Sequence, residues 1–414
     1  MDRPKTRILF VDDEPIILEL LKLSVSSMSD EWETAYAKSA EEALALMGPS
    51  RPEGGEPQRP PGREIEAFDI VISDMQLPGI SGAQLLNDIM RRFPGTIRII
   101  LSGHGDQELV MRCVGATHQF LLKPFKLADL KAVLKRIHGL KERLHSEEIK
   151  RLVGREESLP SIPDVYFKVL DALQDPNCPL DRIGGIVAGD PALTVKLLQL
   201  VNSAFLGIAR EVSSADEAVM ILGTGAIRSL VLGLRLFSAF NALDARNDAM
   251  QKVWGHSVRV GRLAQRIGEI EGGDEKLMEE AFTAGLLHDV GKLILAENPS
   301  ANYLQFLDAV DGEKRSLISA EREAFQATHA EVGAYLLDLW GLPLQLVEAV
   351  ALHHEPTRAG ATGFSALTAV HAANALEHQA AHAEASATEL DGAYLEQLNL
   401  SDRIPVWRRE LETL

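Results

Sequence analysis

Four short apolar runs lie within the first 125 residues, and no strand-like run stands out after residue 152: Arg7–Val11, Phe68–Ser73, Thr96–Leu101 and Gln119–Leu122. Each is rich in Ile, Leu, Val or Phe and lacks clean polar alternation. That pattern suits strands covered on both faces, hence a parallel sheet. Helical patterns alternate with the runs, over Pro15–Ser27, Ser39–Met47, Ser81–Arg92 and Asp106–Val114. Repeated β-α units predict an α/β doubly wound sheet, in which ligands gather at the carboxyl ends of the strands. Residues 48–63 hold five Pro and four Gly and read as a surface loop inside this domain.

From Leu127 the pattern turns helical. Leu130, Val133, Ile137, Leu140 and Leu144 are spaced 3, 4, 3, 4, an a/d seam of about two heptads. It has two readings: the last helix of the first domain packed on the sheet, or a longer signalling or dimer helix running towards residue 152. Beyond Leu152, amphipathic helices broken by Pro and Gly predict an all-α domain. The tail, Ala380–Leu414, carries Trp407 and several leucines and is expected to dock on that domain.

Apolar residues at 46% and charged residues at 25% exclude wholesale disorder. The net charge of −18 divides as −3 over residues 1–150 and −15 over 151–414. A second half that acidic repels a phosphate backbone, which argues against direct DNA binding. No window approaches the ~18 apolar residues of a membrane span. The start, MDRPKTRILFVDDE, does not read as a signal peptide. Cys113 and Cys178 cannot build a disulfide framework. A cytoplasmic chain is therefore expected, with no membrane partner.

Chemistry-bearing residues fall at the predicted strand ends. Asp12 and Asp13 follow the first run, Asp74 the second, Ser102 the third and Lys123 the fourth. In a doubly wound sheet these ends share one edge. Three carboxylates so close cannot all stay ionised without a cation, and an all-oxygen donor set points to Mg²⁺. Mg²⁺ and the Lys123 ammonium would neutralise a phosphoryl group received by one carboxylate. Ser102 could then bond a phosphoryl oxygen. An acyl phosphate would add about −1.5 to −2 charges.

These residues resemble the receiver domain of two-component response regulators, over residues 5–125. The resemblance implies a flavodoxin-like five-stranded parallel sheet, the acidic pair Asp12 and Asp13, the phosphoacceptor Asp74, the switch hydroxyl Ser102 and the lysine Lys123 followed by Pro124. It puts the switch aromatic at Phe120, where Tyr or His is commoner, and gives Mg²⁺ a backbone carbonyl from Gln76. It implies a histidine kinase or phosphotransfer protein as phosphoryl donor.

The second half has its own cluster of histidines: His256, His288 with Asp289 beside it, His329, His353, His354 and His371. His-Asp followed by Gly-Lys at a helix end is an arrangement used by metal phosphohydrolases, with neutral imidazole ligands and a bridging carboxylate. His378 and His382, in a polar stretch, read as ordinary core or surface histidines. The strings GDPALTVKLLQLVNSAFLG, WGHSV, GLLHDVGKLIL, HAEVGAYLLDLWGLP and ALHHEP resemble the HDOD branch of the HD superfamily. That implies an HDOD domain over 153–400, with a helical part at 153–245 and an HD-like part at 250–380. A helical linker at 126–152 precedes it and a tail at 401–414 follows. Two departures matter: Asn374 stands where active HD hydrolases place an Asp, and no Gly-Tyr-Pro stretch follows His353–His354. The expected output is therefore a non-catalytic domain that binds a downstream signalling protein or small ligand. A transition-metal site among His256, His288, Asp289, His329, His353, His354 and Asn374 is an open prospect, as is a homodimer. The alternative is a phosphorylation-gated metal phosphohydrolase acting on a nucleotide or cyclic dinucleotide.

Overall fold

A computed structural model describes residues 5–26, 32–48, 68–103, 116–143, 150, 152–154, 168–169, 172, 178–202, 208, 210–233, 244–297, 302–313, 315–360, 362–381 and 390–411. Two compact units result. One is Met1–Glu142 with Glu147–Glu157 and Ser203–Ile208, and the other is Arg143–Ser146 with Ser158–Asn202 and Ala209–Leu414.

The first unit is the doubly wound sheet. Its strands are β1 (Thr6–Val11), β2 (Trp32–Ala37), β3 (Ile70–Asp74), β4 (Ile97–Ser102) and β5 (Gln119–Leu122). They pair in the order β2-β1-β3-β4-β5, all parallel. Three of the apolar runs form the interior strands β1, β3 and β4, where both faces are covered, and the fourth forms the edge strand β5; Ile8, Leu9, Ile70, Val71, Ile99 and Ile100 are all fully buried. β2 is absent from the four runs. It reads WETAYA and lies at the sheet edge with four of its six residues at least partly exposed, so polar residues interrupt it. Register aligns the functional ends: Val11 pairs with Ser73, Asp74 with Leu101 and Ser102 with Leu122.

The helices of this unit are α1 (Pro15–Ser26), α2 (Ala40–Met47), α3 (Gly82–Arg92) and α4 (Leu127–Arg143). Ser39 caps α2 and accepts from the Glu42 N–H, and Ser81 forms a capping box with Gln84 on α3. The helix expected at Asp106–Val114 and most of the 48–63 loop lie outside the described residues. On α4, Leu130, Leu134 and Ile137 are buried while Val133 is only half-buried, so Leu134 replaces Val133 in the buried stripe. His138 of α4 meets Thr6 Oγ1 at 3.1 Å and the Trp32 ring at 5.6 Å, which seats the helix on β1 and β2.

Residues 152–154 dock on the same unit at the amino end of β4. The buried Arg98 organises the contact. Its Nε donates to Ala116 O at 2.6 Å, Nη1 to Thr96 O at 2.9 Å and Nη2 to Gly154 O at 2.6 Å. His118 lies 3.0 Å from both Arg98 N and Nη2, and a neutral imidazole accepts at only one of those nitrogens. Val153 is fully buried.

The second unit is helical: α5 (Leu180–Val187), α6 (Pro191–Asn202), α7 (Ala215–Gly233), α8 (Asp244–Ile270), α9 (Glu275–Leu287), α10 (Val290–Glu297), α11 (Tyr303–Glu313), α12 (Leu317–Phe325), α13 (His329–Leu339), α14 (Leu344–Leu352), α15 (Ala366–Ala381), α16 (Gly392–Gln397) and α17 (Ile404–Leu411). α7 kinks at Gly223, whose φ of 72° glycine adopts without strain. The buried Trp407 of α17 donates its indole N–H to Glu271 Oε1 at 2.8 Å, and Arg403 reaches the same oxygen, so the tail helix docks on the end of α8. Among the described residues no helix is long and apolar enough to cross a membrane.

Candidate phosphoacceptor pocket and metal centre

At the carboxyl edge of the sheet, Lys123 Nζ sits 2.7 Å from Asp12 Oδ2 and 2.7 Å from Asp74 Oδ1. Asp12 is buried and its other oxygen accepts from Glu14 N–H at 2.9 Å, while Asp13 is exposed. One oxygen each of Asp12, Asp13 and Asp74 lies within 4.8 Å of the others, spacing that one small oxygen-seeking cation could span. Burial and the Asp12 charge raise the Asp74 carboxyl above its ordinary value, against the pull of Lys123. Burial opposes the charge on Lys123, yet Asp12 and Asp74 together raise its ammonium above the usual range. Ser102 is buried at the end of β4, and its hydroxyl has no hydrogen-bond partner among the described residues. Phe120 is 2% exposed. Gln76 is exposed in the loop two residues beyond Asp74.

The second site lies inside the helical unit, where the last residue before α10, Asp289, faces two groups of histidines. Asp289 Oδ2 is 3.4 Å from His288 Nε2 and 3.7 Å from His256 Nε2, and these two nitrogens are 3.2 Å apart. Asp289 Oδ1 is 3.2 Å from His329 Nε2, which is itself 3.1 Å from His354 Nε2. The His353 and His354 rings lie with centroids 4.0 Å apart. Each lobe holds three ligand atoms within 4.8 Å of one another: His256, His288 and Asp289 in one, His329, His353 and His354 in the other. Asn374 joins the first lobe, with Oδ1 3.0 Å from His256 Nε2. The lobes meet because α10 and α13 cross in backbone contact: a Cβ on Gly291 would stand 1.9 Å from His329 O.

The protons on the rings follow from their outer partners. Nδ1 of His288 donates to Gly285 O at 2.7 Å, Nδ1 of His353 to Val350 O at 2.8 Å, Nδ1 of His329 to Glu321 at 2.8 Å and Nδ1 of His256 to Glu377 at 2.6 Å. A neutral imidazole that donates through Nδ1 presents a lone pair at Nε2. The Nε2 atoms of His256, His288 and His329 each lie within 3.7 Å of an Asp289 oxygen. His353 Nε2 and Asp289 Oδ1 are buried without a hydrogen-bond partner among the described residues. Burial pushes His288 down and drives His353 and His354 well down, favouring neutral rings. Burial works to raise Asp289, but His288, Lys292 and His329 hold it well below the usual carboxylate range. Burial lowers His329, but Glu321 outweighs it and raises the ring. Imidazole and carboxylate donors suit Zn, Fe, Ni or Cu, so the donor set fits a transition metal.

His371 is not part of this centre. Its Nδ1 donates to His353 O at 2.8 Å and its Nε2 accepts from Asp391 N–H at 2.9 Å, so both nitrogens are used. His378 stands closer to the site than its polar surroundings suggest, with its ring 4.6 Å from His256; burial and the charge of His256 push it down to about 3. His382 lies outside the described residues. Sequence reasoning missed Glu321, Glu377 and Tyr303. Glu321 is fully buried and accepts from His329 N–H and Nδ1 and from the Tyr303 hydroxyl. Burial works to raise Glu377, but His256 and Arg259 hold it at about 2. Lys292, in the Gly-Lys pair, donates to Asp289 Oδ2 at 2.7 Å.

The family model described as "Response regulator receiver domain" matches residues 8–135, and that described as "HDOD domain" matches residues 159–356. An "Uncharacterized protein" of Treponema pallidum is 26% identical over 212 residues, 49% of this chain and 39% of that one. A "Cyclic di-GMP phosphodiesterase" of Thermotoga maritima is 25% identical over 293 residues, 70% of this chain and 60% of that one. The chain thus spans less than two thirds of the length of these curated relatives. Among solved structures, the MmoQ response regulator of Methylococcus capsulatus is 27% identical, with 61% of this chain and 98% of that chain covered, at a TM-score of 0.46.

Proposed function

The chain is a response regulator that joins a receiver domain to an HDOD domain, and from that premise we propose that Asp74 is its phosphoacceptor and that the HDOD domain is a metal-holding, non-catalytic output. The donor is a histidine kinase or phosphotransfer protein. The observation that carries the first half is Lys123 Nζ held 2.7 Å from both Asp12 and Asp74. An Asp74 oxygen attacks phosphorus, the P–N bond to the donor imidazole breaks, and that nitrogen keeps the electron pair and takes a proton. Asp12, Asp13, Asp74 and the Gln76 carbonyl would hold Mg²⁺, which neutralises charge on the transferring group. Lys123 supplies the second positive charge. The unpartnered Ser102 hydroxyl then has an acceptor for its proton in the new phosphoryl oxygen. Such contacts are worth a few kcal/mol at most, whereas moving a population from 1:99 to 99:1 takes about 5.5 kcal/mol. Phosphorylation therefore biases the output, and a downstream protein or small ligand at the HDOD domain, or a second copy of the chain, supplies the remainder. The helix α4 (Leu127–Arg143) carries the change. We place this exchange in the cytoplasm, without DNA contact.

Acetyl phosphate with Mg²⁺ should add one phosphoryl group to the wild type and none to Asp74→Ala, read by intact mass. Equal labelling of both proteins refutes the assignment.

One observation favours a second reading, a phosphorylation-gated metal phosphohydrolase. The two oxygens of Asp289 face different histidine groups, as a bridging carboxylate does in two-metal hydrolases. Against it, Asn374 contributes a neutral amide where a carboxylate would complete the first lobe. Turnover of a nucleotide or cyclic dinucleotide by the metal-loaded protein, abolished in Asp289→Ala, would establish this reading; no turnover retains the non-catalytic one.

A further inference from the structure

The two lobes around Asp289 are not equivalent, and the difference lies in what already neutralises each carboxylate oxygen. In the His256/His288 lobe, Asp289 Oδ2 accepts from the Lys292 ammonium at 2.7 Å. A metal ion there would compete with a cation for that oxygen, and its remaining oxygen donor is the Asn374 amide. Behind His256, Glu377 is shared with Arg259, whose Nε lies 2.6 Å from Glu377 Oε1, so its negative charge is partly spent as well. In the other lobe, the described neighbour of Asp289 Oδ1 is His329 Nε2 at 3.2 Å, with no Lys or Arg contact among the described residues. His329 in turn groups with His353 and His354, one ligand nitrogen of each within 4.8 Å of the others. Its outer carboxylate, Glu321, is fully buried, and its described partners are neutral or are His329 itself: the Tyr303 hydroxyl, the His329 N–H and the His329 Nδ1. A carboxylate behind a ligating histidine fixes the ring and raises its basicity, and its loss typically costs 10–100-fold in metal affinity.

We propose that the tight metal site of the HDOD domain is formed by His329, His353, His354 and Asp289 Oδ1, with Glu321 as its positioning residue, and that the His256/His288 lobe is the weaker one. This rests on the metal-holding reading above and assigns it to particular ligands. Three imidazole nitrogens and one carboxylate oxygen make a four-donor set of the kind that suits Zn²⁺ or Co²⁺. Tyr303 matters because it donates to the one Glu321 oxygen that the His329 backbone leaves available, which orients the carboxylate towards Nδ1.

The test is a Co²⁺ titration of the full-length protein after chelator stripping, followed by its visible absorption and by competition with Zn²⁺. The wild type should take one ion tightly. Glu321→Gln, which keeps an oxygen facing Nδ1 but loses the charge, should weaken that ion 10–100-fold, and His354→Ala at least as much. His256→Ala should leave the first ion in place. The metal-free melting temperature of each variant is recorded alongside. A purely structural Glu321 would lower that temperature without changing affinity in the folded protein, and that outcome overturns the assignment. Loss of the first ion in His256→Ala but not in His354→Ala overturns it too. A wild type that binds no ion brings down the metal-holding reading itself. Should Glu321→Gln fail to fold, His354→Gln against His256→Gln carries the same comparison.

Discussion

Replacing Gly154 with alanine should release residues 152–154 from the sheet while leaving the sheet folded. A Cβ at this position would stand 1.9 Å from Pro94 O, so the backbone must retreat by about an ångström or more. That retreat removes the 2.6 Å bond from Arg98 Nη2 to Gly154 O. Hydrogen bonds to charged groups contribute about 1.5–3 kcal/mol. Val153, fully buried here, would be drawn out as well, at about 1.5–3 kcal/mol. Together these place the cost at about 3–6 kcal/mol, which is enough to undock a three-residue segment. Arg98 keeps Ala116 O and Thr96 O as acceptors, so the core around β4 stays satisfied. Hydrogen exchange measured on peptides covering 150–157 should speed up by two orders of magnitude or more, a factor of ten for each 1.4 kcal/mol, while peptides from β1, β3 and β4 keep their protection. Unchanged exchange in 150–157 would refute the reasoning, as would loss of protection throughout the sheet.

Ser102→Ala should raise the melting temperature of the receiver, because it removes a buried hydroxyl that lacks a partner, a relief of about 1–3 kcal/mol; a lowered melting point would contradict this. His371→Ala should destabilise the helical domain by about 1–3 kcal/mol yet leave bound metal unchanged in elemental analysis, since both ring nitrogens already serve His353 O and Asp391 N–H. Asp391 caps α16. Burial works to raise its carboxyl, but the Thr357 hydroxyl, the backbone N–H groups of Tyr394 and Ala393 and the charge of His371 lower it below 3.8. A depressed carboxyl stabilises the fold above its unfolded value and loses that contribution as pH falls through the folded one. Asp391→Ala should therefore cost about 1 kcal/mol at neutral pH, and the gap to wild type in thermal melts should shrink as pH falls through the depressed carboxyl value; a gap independent of pH would refute the charge assignment.

The sheet was legible because its interior strands β1, β3 and β4 must be apolar on both faces, and the short edge strand β5 reads as a run as well. β2 does not, because an edge strand can expose residues such as Glu33 and Thr34, which breaks the run. The caps Ser39 and Ser81 stand at predicted helix starts, since a hydroxyl before a helical pattern has a backbone N–H to satisfy. On α4, heptad counting selected Val133, whereas the buried stripe runs through Leu134, because packing on a sheet follows a broader face than a two-stranded seam. In the helical half, the His-Asp pair and the later histidines were visible as rare residue types. Glu321 and Glu377 were not: acidic residues are common on helices, and nothing in the sequence places Glu377 opposite a histidine 121 residues away. His371, part of the histidine cluster but not among the candidate ligands, spends both ring nitrogens on backbone partners.

The shared carboxylate of Asp289 carries a further implication. One oxygen grips an ammonium and the other faces the His329 imidazole at 3.2 Å, so positive charge arriving on the histidine side weakens the grip on the opposite side. Lys292, at the start of α10, is thereby coupled through one carboxylate to charge on histidines it does not itself bond.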